Sequence, residues 1–397
     1  MDLSIENIEI LLLVAAVVAT IAQRLRLPYT VGLVLAGGVM VLTGLSPHIH
    51  LTKHLIFTAF LPPLIFEAAY FIPWTELRRD FGPITLLATV GVLIATAITA
   101  AGMHFGAQWA WPSALLFGVL ISATDPVSVI ATFKEAGVHG RLRLLVEAES
   151  LFNDGTAAVL FAVVSAVVLG AGMSAGAVVS SFCITVAGGI LCGALVGGGA
   201  LLMIGRATDH LVEISFTVVA AYGSFLLAEH FHLSGVLATL TAGMLIGNIG
   251  PGRAITDRGR EAVGAFWEYA AFLANSLIFL LIGMRGALES SVSLLVPTLI
   301  AILVVLLGRA AAVYGCSAFY ARTAQRISAS RQHILFWGGL RGALALALAL
   351  GLPPDTPGRS EILTVTFGVV AFSIIVQGLT ITPLLRRLGE IEKKPHS

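Results

Sequence analysis

Long apolar stretches, joined by short polar connections, run through this chain from end to end, and that pattern decides which solvent it folds in. Crossing the hydrocarbon core of a bilayer takes roughly 20 mostly apolar residues in helical form. By that ruler the sequence predicts thirteen helices, at 5–22, 28–46, 53–72, 82–106, 112–133, 145–170, 175–205, 210–230, 233–250, 264–284, 291–320, 331–352 and 359–386. Composition points the same way. Of 397 residues 57% are apolar and only 11% charged, whereas a water-soluble surface needs about 25% charged residues. Disorder and fibrous repeats are excluded on the same numbers, and a net charge of +1 offers no basic field for nucleic acid. The expected fold class is an all-α polytopic membrane protein, one transmembrane domain over 1–397 with no soluble domain.

The first apolar stretch reads as a span, not a signal peptide. Asp2, Glu6 and Glu9 precede or open it where a basic region would be needed, and no small-x-small cleavage site follows. The three cysteines, Cys183, Cys192 and Cys316, lie in apolar stretches without metal-ligand spacing and read as small membrane-core residues. Basic residues orient the spans. With the amino terminus outside, the connections that carry most of the 23 lysines and arginines fall on the cytoplasmic side, and only Lys53, Arg285 and Arg359 fall outside. Such asymmetry is the positive-inside signature, and an odd number of spans puts the carboxyl terminus in the cytoplasm.

Glu67, Asp125, Glu149, Asp154, Arg309 and Arg341 all fall within spans. Each costs about 2.5–3.5 kcal/mol to insert at the bilayer centre, so each needs a reason. Two bases neutralise at most two of four acids. A leftover carboxylate in low dielectric must take up a proton or a cation. Around these charges the chain is built for polar backbone. Ser122-Ala123-Thr124-Asp125-Pro126 puts a proline mid-span, which leaves the Ser122 carbonyl without its helical partner. Open backbone at membrane depth is tolerated only where protein buries it or a polar cavity receives it.

Glu149-Ser150-Leu151-Phe152-Asn153-Asp154 places Ser150 and Asp154 one above the other on a helix face, with Glu149 and Asn153 as the neighbouring pair. A hydroxyl one turn from a carboxylate suits a hard monovalent cation. Gly338-Gly339-Leu340-Arg341-Gly342 weakens a second span and permits close backbone approach beside an arginine. One interrupted segment in each half points to a transporter built of inverted repeats, with its site at the midplane.

With these residues the chain resembles the monovalent cation/proton antiporter family, the NhaP-type and NHE-type sodium/proton exchangers. Leu61-Pro62-Pro63-Leu64-Ile65-Phe66-Glu67, Thr124-Asp125-Pro126-Val127, the Glu149–Asp154 run, His232-Leu233-Ser234-Gly235, Gly338 to Ala343 and Gln377-Gly378-Leu379-Thr380 carry the resemblance in joint order and spacing. It implies inverted six-helix repeats with two broken crossing helices, and a homodimer with interleaved core and dimerisation subdomains. Asp154 would bind either a proton or the cation. Ser150, Glu67, Thr124, Asp125 and Asn153 would complete the ion site, and the Asn153–Asp154 pair marks electroneutral one-for-one exchange. Glu149 and Arg309 would form a structural ion pair. Arg341, with Pro126, Gly338, Gly339 and Gly342, would sit at the helix crossing. The expected activity is Na+/H+ antiport across the plasma (inner) membrane, serving pH homeostasis. K+/H+ antiport on the same fold is the alternative, a cation channel the remoter one, and Li+ a further candidate ion. No cofactor and no enzyme chemistry are expected.

Overall fold

The structure is a computed structural model describing residues 5–25, 28–44, 52–125, 127–170, 172, 174–288 and 294–391. It is helical throughout, with no strand among the described residues. In chain order the helices are α1 (Ile5–Leu25), α2 (Tyr29–Leu42), α3 (Lys53–Leu55), α4 (Leu61–Phe71), α5 (Trp74–Leu86), α6 (Val92–Gly106), α7 (Trp111–Leu120), α8 (Val127–Ala136) and α9 (Arg141–Val168). There follow α10 (Ala175–Ile204), α11 (His210–His230), α12 (Gly235–Ile249), α13 (Asp257–Leu288), α14 (Leu295–Phe319), α15 (Ala329–Trp337), α16 (Ala343–Leu350), α17 (Arg359–Phe372) and α18 (Gly378–Arg387). Single π-helical turns at Ile56–Phe60, Leu87–Gly91 and Ser373–Gln377 weld α3 to α4, α5 to α6 and α17 to α18. Among the described residues, eight of the resulting helices are long and apolar enough to cross a membrane, and four more are shorter and apolar.

Two helices begin well before their expected starts. The span expected from 82 opens at Trp74, and that expected from 264 opens at Asp257. Both extensions are rich in charge (Glu76, Arg78, Arg79, Asp80; Arg258, Arg260, Glu261), so a ruler calibrated on apolar length cannot see them although the helix runs on. Side-chain caps start several helices: Ser174 Oγ accepts from the Ala177 N–H, Asp209 Oδ1 from Leu211 and Ser234 Oγ from Leu237. The two expected interruptions are present as true breaks, one between α7 and α8 and the other between α15 and α16. Of the three free cysteines, Cys192 and Cys316 are buried and Cys183 is exposed on α10.

The chain forms two compact units. One comprises Met1–Thr52, Asp80–Asn153 and Ser276–Ser397, the other Lys53–Arg79 and Asp154–Asn275. In the second unit, α12 packs against α4, α10 and α11. Its core is centred on Phe66 and Trp267, whose rings lie 4.5 Å apart. The Trp267 indole N–H, which needs an acceptor when buried, donates to Thr217 Oγ1 at 3.0 Å. Glu213, fully buried, accepts from the N–H and hydroxyl of Thr256 at the start of α13, a carboxylate set at a helix N-terminus where the dipole favours it.

In the first unit α6 packs on α14 and α7, and α16 is buried on all sides. An ionic clasp closes one end of this unit. Arg141, the first residue of α9, donates to both oxygens of Asp80 at 2.7–3.1 Å and to the carbonyls of Gln325 and Arg326 on the stretch leading into α15.

Candidate functional site

The two breaks meet in the first unit. Asp125 and Leu340 form an antiparallel bridge, with the Asp125 N–H donating to the Leu340 carbonyl at 2.8 Å. Extended backbone has crossed extended backbone, so four half-helices, α7, α8, α15 and α16, end or begin at one place. Every helix end leaves unpaired N–H or carbonyl groups, and the charged residues here answer them. The Asp125 carboxylate accepts from the N–H of Val127 at 2.9 Å and faces the N–H of Ala343, the first residues of α8 and α16. Arg341 does the converse: its Nη1 donates to the carbonyls of Ser122 at 2.6 Å and Ala123 at 3.1 Å, just beyond the C-terminus of α7. An anion lies at two positive helix ends and a cation at a negative one, as the helix dipoles require.

Proline chemistry alone says that Ser122 loses its partner; the structure supplies the replacement in Arg341. Pro126 itself lies outside the described residues. Gly342 and Gly339 are needed for the approach of these charges. A Cβ on Gly342 would run into the Asp125 carboxylate, and one on Gly339 into the Arg309 guanidinium. Gly338 caps the C-terminus of α15.

Arg309, on α14, is 5% exposed and binds Glu149 in the forked geometry, Nη1 to Oε1 at 2.7 Å and Nη2 to Oε2 at 2.9 Å. Its Nη2 also donates to the Leu335 carbonyl in the last turn of α15. The pair thus fastens α9 to α14 and caps a half-helix. Its Nε is buried with no hydrogen-bond partner among the described residues.

One residue along α9, Ser150 is locked onto the first break. Its hydroxyl donates to the Thr124 carbonyl at 2.8 Å and accepts from the Thr124 hydroxyl at 3.1 Å, and both residues are buried. Asn153 donates weakly to Glu149 Oε1 at 3.4 Å, while its own Oδ1 is buried with no partner among the described residues. A buried acceptor without a donor costs about 1–3 kcal/mol, a cost that a proton donor or a bound cation at this oxygen would relieve. Asp154 follows on the same helix, half-buried, with Oδ1 shielded from solvent. Glu67 lies in the second unit on α4, half-buried next to the core residue Phe66. No group of three or more His, Cys, Asp or Glu able to hold a metal ion occurs among the described residues. The polar atoms on this stretch are hydroxyl, amide and carbonyl oxygens with single carboxylates, the ligand class of hard cations.

Residues 11–387 match the family model described as sodium/hydrogen exchanger, transmembrane. This chain belongs to the sodium/hydrogen exchanger family. It is thus an integral membrane protein of a transporter family, not an enzyme. Relatives agree over nearly the full length. The chain is 40% identical over 400 residues to the Na+/H+ antiporter ApNhaP of Aphanothece halophytica, covering 97% of this chain and 76% of the relative. It is 36% identical over 404 residues to the Na+/H+ antiporter NhaH of Halobacillus dabanensis, covering 97% and 98%. Among solved structures, the sodium proton antiporter MjNhaP1 of Methanocaldococcus jannaschii superposes with a TM-score of 0.78 over 97% of this chain and 98% of its own, at 21% identity. That likeness shows that the exchanger fold is shared.

Within this exchanger fold, three roles escape sequence reasoning. The clasp of Asp80 and Arg141 joins two charges that read as ordinary loop residues. Ser373, whose Oγ accepts from the Arg341 N–H at 2.7 Å, carries no sequence signal at all. Gln377 stands in a motif of the resemblance, but nothing in the sequence says that its Nε2 donates to the Trp337 carbonyl, at 3.0 Å.

Proposed function

We propose that this protein exchanges Na+ for H+ across the plasma membrane, one for one, by alternating access, with the two ions competing for the Asp154 carboxylate. The observation that carries the reading is the lock of Ser150 onto the broken backbone at Thr124, one helical turn from Asp154. Family membership and antiporters among the relatives support cation/proton antiport; the oxygen donors support a hard monovalent cation as the coupled ion.

A carboxylate holding a proton has lost the charge that binds Na+, and one holding Na+ has no room for the proton. If the protein changes access only when Asp154 is neutralised by one or the other, coupling follows without ATP or any cofactor. Ser150, Thr124 and the Asn153 amide oxygen complete the cation's coordination, Glu67 adds a second carboxylate, and Asp125 holds the crossing that positions them. Glu149 and Arg309 neutralise each other, so neither competes for the transported ion. The resemblance further assigns a homodimer with interleaved core and dimerisation subdomains, the amino terminus outside and the carboxyl terminus in the cytoplasm.

The test is proton movement driven by a sodium gradient in proteoliposomes of purified protein. Asp154→Asn abolishes it while leaving melting in detergent unchanged, and exchange retained by this variant removes Asp154 from the mechanism. Rates that are the same with and without an imposed membrane potential indicate one-for-one exchange; a rate steered by the potential excludes it. Replacing sodium with potassium in the same vesicles decides between the two cations.

A further inference from the structure

We infer that Ser373 and Gln377, on the π-helical turn between α17 and α18, are positioning residues for the ion site; the inference rests on the exchange reading above. The break between α15 and α16 has two polar ends left over from its helices, the Trp337 carbonyl and the Arg341 N–H, four residues apart. Ser373 and Gln377 are also four residues apart and share a helix face. They meet the two ends in register, Ser373 Oγ accepting from the Arg341 N–H and Gln377 Nε2 donating to the Trp337 carbonyl. Both residues are buried, at 1% and 3% exposure. Single π-helical turns are frequent at functional sites, and this one sets the two side chains against the break.

Packing against the break leaves a small gap on this side. A cavity of about 10 Å³ is lined by Val305, Arg309, Gly339, Arg341, Ser373 and Gln377, among others, about the room one water needs. With space on that side, the position of 338–342 depends on its hydrogen bonds. That position matters because the same five residues shape the first break: Leu340 pairs with the Asp125 N–H, and Arg341 holds the carbonyls of Ser122 and Ala123. Thr124, which contacts Ser150, lies between those points. The brace on the last helix therefore acts on the cation donors through 338–342 without touching the ion.

Two measurements test this, one of them independent of transport. In hydrogen–deuterium exchange on the purified protein, Ser373→Ala speeds exchange of the amides at 338–342 and also at 121–125, although Ser373 does not contact the latter; unchanged exchange at 121–125 overturns the inference. In proteoliposomes Ser373→Ala and Gln377→Ala raise the cation concentration for half-maximal proton flux about 3–10-fold, the equivalent of one hydrogen bond. The maximal rate stays near the parent's, and Ser373→Thr, which keeps the acceptor oxygen, restores the parent value. Parent affinity in Ser373→Ala, or an equal shift in Ser373→Thr, overturns the inference. If the parent protein itself moves no protons against a cation gradient, the exchange reading fails, while the exchange of 121–125 still decides whether the brace exists.

Discussion

The two broken helices are alike in outline and opposite in what they offer. Each has an arginine at the carbonyl end of its first half: Arg341 serves Ser122 and Ala123 beyond α7, and Arg309 serves Leu335 in α15. Arg309 brings its own carboxylate, Glu149, in a forked pair. Arg341 donates to backbone carbonyls, and the carboxylate across the crossing, Asp125, stands at the N-termini of α8 and α16. Around the second break, charge is cancelled locally. Around the first, the hydroxyl and carbonyl oxygens of Thr124 meet Ser150. One break is thus held by a closed charge pair, and the other, on the exchange reading proposed above, turns oxygens toward the ion.

Substitutions can break that contrast or sharpen it. Glu149→Gln removes the acid from the supporting pair and leaves Arg309 buried with its charge uncompensated, a loss that typically costs about 3–5 kcal/mol. Thermal unfolding in detergent reads it, and a variant that melts with the parent shows that the second break does not depend on this pair. Arg341→Met acts on the other break. It leaves the Ser122 and Ala123 carbonyls without their donor, at about 1–3 kcal/mol for each buried acceptor, and sodium-driven proton flux is lost with the fold weakened. Flux retained at parental affinity means the ligand face does not need the crossing. Ser150→Ala has the smallest effect on stability, about 1 kcal/mol. It deletes a donor oxygen, so the sodium concentration for half-maximal flux rises several-fold while melting hardly moves. Unchanged affinity would take Ser150 out of the ion site.

Much of this arrangement is legible in the residues because its causes are local. A proline in the middle of an apolar span and a glycine cluster around an arginine each forbid an ordinary helix, whatever surrounds them, and both breaks stand where those residues put them. Ser150 and Asp154 share a face by helical period alone. Pairing is another matter, because it depends on which distant oxygens come within reach. Counting acids against bases says nothing of the hydrogen bonds from Arg341 to Ser122 and Ala123, because they run to backbone, which every residue possesses and no sequence distinguishes. Glu213, at the first turn of α11, is completely buried, because the start of α13 supplies the N–H and hydroxyl that solvate it, a pairing between distant residues that no local pattern announces. Asp80 and Arg141 likewise look like solvated loop charges until the fold brings them together.

Helix α16 has its own lesson. It reads Ala-Leu-Ala-Leu-Ala-Leu-Ala-Leu, an alternation of two residues laid on a spiral of 3.6 per turn, so its leucines fall on two opposite sides and neither is marked as inner. Buried on all sides, the rod meets its neighbours with two near-equivalent apolar faces, and the polar mark on its angular setting stands at its tip, where the Ala343 N–H faces Asp125.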